Sequence, residues 1–65
     1  MKPEEVEDLK TKIMNRLQDK ANGETEEQLE KLFDKQKSQI LVALYILKNQ
    51  NCVSMKDGVW TMVRS

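Results

Sequence analysis

The chain has 65 residues, of which 34% are charged and 38% hydrophobic, and its formal net charge is zero. This length allows one domain with a small core, because a chain of this size buries only about 60% of the surface that its unfolded form exposes. The longest apolar run covers residues 40–47, well short of the roughly 20 residues that a membrane-spanning helix needs.

The first predicted element is a helix from about Pro3 to Ala21. Proline suits the first helical turn, where its missing N–H is not needed, and the acidic residues that follow it suit the positive end of the helix dipole. The pair Asn22-Gly23 ends this helix, because both residues tolerate left-handed backbone. Spacings of three and four residues define one apolar stripe, which consists of Val6, Leu9, Ile13, Leu17 and Ala21, with Met14 beside it.

A second, short helix is predicted from about Glu26 to Phe33. Thr25 and Gln28 have the spacing of a capping box, in which each side chain accepts a hydrogen bond from the backbone N–H of the other residue. Leu29, Leu32 and Phe33 give this helix a small apolar face. The few residues between the two helices require the chain to turn sharply.

Helix 3 is predicted from about Lys35 to Asn49. The polar segment 34–37 before it is interpreted as a turn in which Asp34 caps helix 3, the alternative being that helix 2 runs on. Leu41 and Tyr45 fall on the polar side of helix 3, and a helix that is apolar nearly all round either is buried on several sides or carries a contact surface. The broad apolar arc contains Ile40, Val42, Ala43, Leu44, Ile46 and Leu47.

A β-hairpin is predicted at the end of the chain. The runs 52–56 and 59–63 are β-prone and flank Asp57-Gly58, a pair that favours a two-residue type I′ turn. A hairpin alone is marginally stable in water, so it must pack on the helices, although the sequence leaves its register open. The candidate packing residues are Val53, Met55, Val59, Trp60 and Met62. The predicted fold is a single α+β domain, residues 1–65, with a three-helix helix-turn-helix core and a C-terminal hairpin.

This order of elements resembles the winged-helix group of helix-turn-helix domains. The sequence departs from that pattern in having no evident strand between helices 1 and 2, so we expect any such strand to be reduced to a residue or two. It also lacks the small-residue and glycine positions often seen in the simplest helix-turn-helix pairs. The resemblance lies in the apolar positions Ile40, Leu44 and Leu47, the polar exit Lys48-Asn-Gln-Asn51, Val53 and the returning segment Gly58-Val-Trp-Thr-Met62.

The resemblance implies that helix 3 occupies the position of a recognition helix and that residues 54–59 hold the tip of the wing. Many winged helices read DNA, and others are protein-docking modules in large assemblies. The chain is similar to the terminal winged-helix domains of cullin-type scaffolds, including the anaphase-promoting complex cullin-like subunit, which also finish shortly after the wing, as this chain does at Ser65.

Residue types for catalysis and metal binding are few. The chain has no histidine and one cysteine, Cys52, whereas a zinc site needs several such ligands. Neither glycine lies in a phosphate-binding motif. We therefore expect no enzyme activity, no cofactor, no metal and no small-molecule substrate. A lone cysteine and the lack of an apolar run after Met1 suit a soluble protein of a reducing compartment, cytoplasmic or nuclear, without a signal peptide.

The favoured functional hypothesis is protein docking through helix 3 and the wing. Leu41 and Tyr45 lie one turn apart on the outward side of helix 3, where exposed apolar and aromatic side chains can anchor a partner. The alternative that helix 1 or the hairpin covers them stays open, and so does their burial in a homodimer. The candidate partner-binding residues are Leu41, Tyr45, Lys37, Ser38 and Lys48.

The alternative hypothesis is a DNA-binding transcriptional regulator. Residues 1–30 hold nine acidic and five basic residues, and residues 31–65 hold six basic and two acidic ones, so the basic charge lies with the recognition helix. DNA affinity depends strongly on phosphate neutralisation, however, and the composition is not strongly basic. The candidate nucleic-acid-binding residues are Lys35, Lys37, Ser38, Gln39, Lys56 and Arg64.

Overall fold

The computed structural model describes residues 2–63, in which three helices are followed by the hairpin of a three-stranded sheet. The elements are α1 (Pro3–Asp19), β1 (Glu24–Thr25), α2 (Glu26–Phe33), α3 (Lys37–Asn49), β2 (Val53–Lys56) and β3 (Val59–Met62). The sheet is antiparallel, with the strand order β1-β3-β2. This α+β layout is winged-helix-like and confirms the predicted fold class.

The hairpin forms around Asp57-Gly58, as the sequence predicts. Both residues have positive φ angles, 53° and 80°, which is the requirement of a type I′ turn. The resulting register places Met55 opposite Trp60. Because side chains alternate along a strand, one face of the hairpin carries a mostly apolar set, which consists of Val53, Met55, Trp60 and Met62.

A strand of only two residues, β1, ties the helices to the hairpin. Glu24 lies opposite Trp60, and Thr25 lies opposite Val59, on the edge of β3 that β2 does not use. This agrees with the expectation of a strand reduced to a residue or two. Immediately before it, Gly23 has a φ of 82° and passes close to the backbone of β3.

The core is formed by α1, α3 and the sheet, with one residue from α2. The stripe of α1 points inward as predicted, although its last predicted member, Ala21, is exposed beyond the end of the helix. Trp60 is the largest fully buried side chain. The buried apolar residues are Leu9, Ile13, Leu17, Leu29, Ile40, Ala43, Leu44, Leu47, Val53 and Trp60.

The starts of α2 and α3 differ in how they are capped. At the start of α2, the Thr25 hydroxyl accepts from the Gln28 N–H at 3.2 Å and the Gln28 carbonyl oxygen Oε1 accepts from the Thr25 N–H at 2.9 Å, so the predicted capping box is present. The prediction that Asp34 caps helix 3 is wrong. Asp34 ends α2 in left-handed backbone, with φ 52° and ψ 49°, and α3 begins two residues later than predicted, after Gln36.

Candidate functional site

The outward face of α3 exposes apolar side chains. Tyr45 is 51% exposed and Val42 is 44% exposed, and residues three apart on a helix are neighbours on its surface. Leu41 is partly buried and Ser38 is exposed. The sequence analysis placed Val42 in the broad apolar arc of helix 3 and left open whether that arc is buried or carries a contact surface; in the structure Val42 is exposed. The outward stripe of α3 therefore centres on Val42 and Tyr45 rather than on Leu41 and Tyr45.

A buried tryptophan lies beneath this surface. The rings of Tyr45 and Trp60 have centroids 6.1 Å apart and planes at 74° to each other, which is the edge-to-face arrangement that aromatic pairs favour. Met55 lies opposite Trp60 on the hairpin and is 45% exposed. The buried indole N–H of Trp60 has no acceptor among residues 2–63, so Trp60 serves here as an apolar support.

These contacts define one surface, which we call the α3–hairpin patch: the exposed side chains of Val42, Tyr45 and Met55. Tyr45 and Met55 come from different elements, and each lies next to Trp60. Because α3 and the hairpin both pack on the core, this patch is presented by rigid elements. Monomeric proteins commonly expose single apolar residues, whereas neighbouring exposed apolar side chains mark interaction surfaces.

One exposed cation, Lys48, lies beside the patch on α3. From residue 37 to residue 56 the charged residues are Lys37, Lys48 and Lys56, and all three are exposed. Lys48 follows Tyr45 by three residues and forms no ion pair within residues 2–63. The Lys37 ammonium lies 3.9 Å from the Glu26 carboxylate, so its charge is partly balanced by α2.

The residues of the DNA-binding hypothesis do not form a free basic surface. The Gln39 side chain accepts from the Gln36 N–H at 3.2 Å at the start of α3, and Lys35 is partly buried. Lys56 is exposed on β2, whereas Arg64 lies outside the described residues.

Acidic residues lie beside the start of α3. A shallow depression of about 310 Å³ is lined by Thr25, Glu26, Glu27, Lys37 and Gly58. It joins the N-terminal turn of α2 and the first residue of α3 to the tip of the hairpin. Two carboxylates at this place work against the approach of phosphates.

Cys52 lies at the edge of the core, where its partly buried side chain packs against the core cluster. Its thiol lies 3.8 Å from the Gln50 carbonyl oxygen, which accepts its weak hydrogen bond. Cys52 is therefore placed as a packing residue.

Within residues 2–63 no three His, Cys, Asp or Glu side chains come together as a metal site, and no helix of this part is long and apolar enough to cross a membrane.

Comparison of the chain with protein-family models, with curated proteins and with solved structures finds no match. The likeness to winged helices accordingly depends on the order of the helices and strands. Any role must be argued from the surfaces that the fold presents.

Sequence reasoning found part of the patch and missed part of it. It placed Tyr45 outward correctly, because the polar residues of α3 mark the same side. It missed Met55, because the hairpin register that sets Met55 beside Trp60 was left open. Strand alternation counted from the Asp57-Gly58 turn would have placed Met55 and Trp60 on one face.

Proposed function

We propose that the chain is a non-catalytic winged-helix-like docking module that binds another protein through α3 and the hairpin, within a larger assembly. The observation that supports this most directly is the α3–hairpin patch, in which Tyr45 and Met55 flank the buried Trp60. Aromatic and methionine side chains held on a rigid support are typical anchors of protein interfaces.

The charges favour one kind of partner. Lys48 follows Tyr45 by three residues on α3 and forms no ion pair within residues 2–63, so it complements an acidic group of a partner. We propose that the contacting segment of the partner is an amphipathic helix whose apolar side chains meet Val42 and Tyr45 and whose acidic side chains lie toward Lys48. Electrostatic complementarity of this kind orients partners and speeds their association.

DNA is the weaker candidate. The Lys37 ammonium is already paired with the Glu26 carboxylate. Glu26 and Glu27 both line the depression between α2 and the hairpin tip. A domain with zero net charge neutralises few phosphates, and phosphate neutralisation supplies much of the affinity of DNA-binding proteins. A single thiol also fits the expected intracellular location.

The test uses a displayed library of helix-forming peptides selected on the wild-type domain. The affinity of the selected peptides is then measured for two variants of the domain. Val42→Glu places a negative charge in the patch, and Asn15→Glu adds the same charge to an exposed position of α1. We expect at least a tenfold loss of affinity for Val42→Glu, acidic residues among the selected clones, and no loss for Asn15→Glu. Circular dichroism establishes that both variants are folded.

Three outcomes would contradict the proposal. Equal affinity of the clones for both variants would place binding away from the patch. Tight binding of a mixed-sequence DNA duplex that weakens steeply from low to moderate salt would favour the DNA hypothesis. Sedimentation tests for a homodimer. If the wild type is a dimer and Val42→Glu is a monomer, a second copy of the chain occupies the patch.

A further inference from the structure

A basic cleft lies on elements that the proposed docking surface does not use. It is open, has a volume of about 420 Å³, and runs between the C-terminal end of α1 and one side of α2. We call it the α1–α2 cleft. Its lining residues are Arg16, Lys20, Glu24, Gln28, Lys31 and Leu32.

An ion pair at the bottom of the cleft fixes one of its cations. The Arg16 Nε donates to the Glu24 carboxylate at 3.1 Å, and the Glu24 side chain is only 8% exposed, while that of Arg16 is 35% exposed. Glu24 is itself held by the pairing of β1 with β3. Because this contact uses Nε alone, the Nη donors of the guanidinium remain for a ligand, on a side chain whose orientation is set.

The other cations of the cleft are uncommitted. Lys20 and Lys31 are exposed, and neither forms an ion pair within residues 2–63. Gln28 already uses its Oε1 to accept from the Thr25 N–H, so it offers a ligand its Nε2 donors. Three cations against one buried carboxylate leave the lining with a net charge of +2.

One wall of the cleft is apolar. Leu32 is 47% exposed and lies one position after Lys31 on α2. A ligand that places an anion among the cations can therefore set an apolar group against Leu32. This combination fits a segment of polypeptide better than it fits a free inorganic ion, which has no apolar part.

We infer that the α1–α2 cleft binds a phosphorylated serine or threonine side chain of a protein segment, with an apolar residue next to it in the segment. A phosphate monoester carries a charge of about −1.5 to −2 at neutral pH, which matches the net charge of the lining, whereas a carboxylate would balance only half of it. Arg16 would receive the phosphate oxygens through its Nη donors, with Lys20 and Lys31 on either side. The docking proposal for the α3–hairpin patch is independent of this site.

The experiment is an NMR titration of the ¹⁵N-labelled full chain with the capped dipeptide phosphoserine-leucine. We expect saturable shifts of the Arg16 Nε–H signal and of the amides of residues 20, 28 and 31. The phosphorylated dipeptide should bind at least tenfold more tightly than the serine and glutamate forms. Replacing its leucine by glycine should weaken binding to the wild type but not to Leu32→Ala.

Charge reversal locates the site. Lys31→Glu should weaken binding of the phosphorylated dipeptide at least tenfold, whereas Lys2→Glu, the same change at an exposed position before α1, should leave its binding unchanged. Equal binding of the phosphorylated and glutamate dipeptides, or an equal loss in both variants, would overturn the inference. So would inorganic sulfate producing the same shifts at the same concentration as the dipeptide. Because the two proposals use different residues, failure of this inference leaves the docking proposal standing, and failure of the docking proposal leaves this inference standing.

Discussion

The N-terminal part of the fold (α1, β1 and α2) and the C-terminal part (α3 and the hairpin) fill the same core, but the helices α1 and α3 differ in the side chains that they expose to solvent. On α1 the buried positions form one stripe, and the exposed positions are polar from Glu4 to Asp19. The buried stripe of α1 includes one charged residue, Lys10, whereas the buried residues of α3 are all apolar. On α3, however, the apolar side chains of Val42 and Tyr45 are exposed.

This difference separates residues that fold the domain from residues that are free for another role. A stripe that supplies only the core, as in α1, is the minimum that an amphipathic helix needs. The exposed apolar side chains of α3 and β2 exceed that minimum, and the fold does not bury them. Substitutions on the buried face of α3 should therefore lower the stability of the domain. Substitutions on its outer face should change the binding of a partner and leave stability almost unchanged.

The largest expected effect compares two positions of α3 that lie two residues apart. Leu44→Ala should lower the free energy of unfolding by about 3 kcal/mol, because Leu44 is fully buried and its truncation leaves a cavity. Val42→Ala should change it by less than about 0.5 kcal/mol, as at other exposed positions. Urea unfolding followed by circular dichroism measures both. If Val42→Ala costs as much as Leu44→Ala, the outer face of α3 belongs to the core.

The next effect tests the junction between the two parts. Gly23 and Gly58 both have positive φ angles, 82° and 80°, and in either an added Cβ strains the backbone. At Gly23 the Cβ would also meet the Trp60 carbonyl and the side chains of Val59 and Thr61, whereas at Gly58 nothing lies within 4 Å.

We therefore expect Gly23→Ala to cost at least about 2 kcal/mol, and Gly58→Ala about 1 kcal/mol. Thermal and urea unfolding give both values. Equal costs at the two glycines would show that β1 can move away from β3 without penalty, so that the helices and the hairpin are less firmly joined than their register implies.

A smaller effect is expected from the ion pair at the same junction. Glu24→Gln keeps the size of a side chain that is 8% exposed but removes its charge opposite Arg16. Because Arg16 is 35% exposed, water can compensate part of the loss, and we expect a cost of about 1 kcal/mol. Asp8→Asn is the control, since it breaks the exposed Asp8–Lys12 pair, and exposed pairs contribute little. A cost for Asp8→Asn as large as that for Glu24→Gln would assign the effect to overall charge.

Local patterns of the sequence predicted most of the fold. The stripe of α1, the capping box of α2 and the Asp57-Gly58 turn each depend on neighbours within a few residues, and each is present. Asp34 shows the limit of such patterns, because aspartate both caps helix starts and tolerates left-handed backbone at helix ends. Here Asp34 takes the second role, with the Lys35 N–H bonded to the Glu30 carbonyl at 3.2 Å.

The site was less predictable because it is set by contacts between distant parts of the chain. A helical pattern gives the angles between side chains of α3 but not which side the hairpin covers, and so it did not predict that Val42 is exposed. The α1–α2 cleft joins residues 16 and 31 through the pairing of a two-residue strand with β3. No periodicity in the sequence indicates a strand so short.

The smallest expected effect contrasts how the two parts start their helices. At the start of α2 the Thr25 hydroxyl accepts from the Gln28 N–H and closes the capping box, whereas at the start of α3 the Gln36 backbone N–H donates to the Gln39 side-chain oxygen. Thr25→Ala should therefore cost about 1 kcal/mol, and Gln36→Ala only a few tenths, since its backbone N–H remains.

Chemical denaturation with both variants in parallel resolves this difference. The two variants should differ because the helices differ in length as well as in capping. α2 has eight residues and one fully buried side chain, Leu29, so its start depends on the capping box. In α3, with thirteen residues, the four buried side chains hold the helix against α1 and the sheet. If Gln36→Ala proves as costly as Thr25→Ala, packing does not relieve α3 of its dependence on a cap, and the surplus of apolar residues in α3 would then be needed for folding.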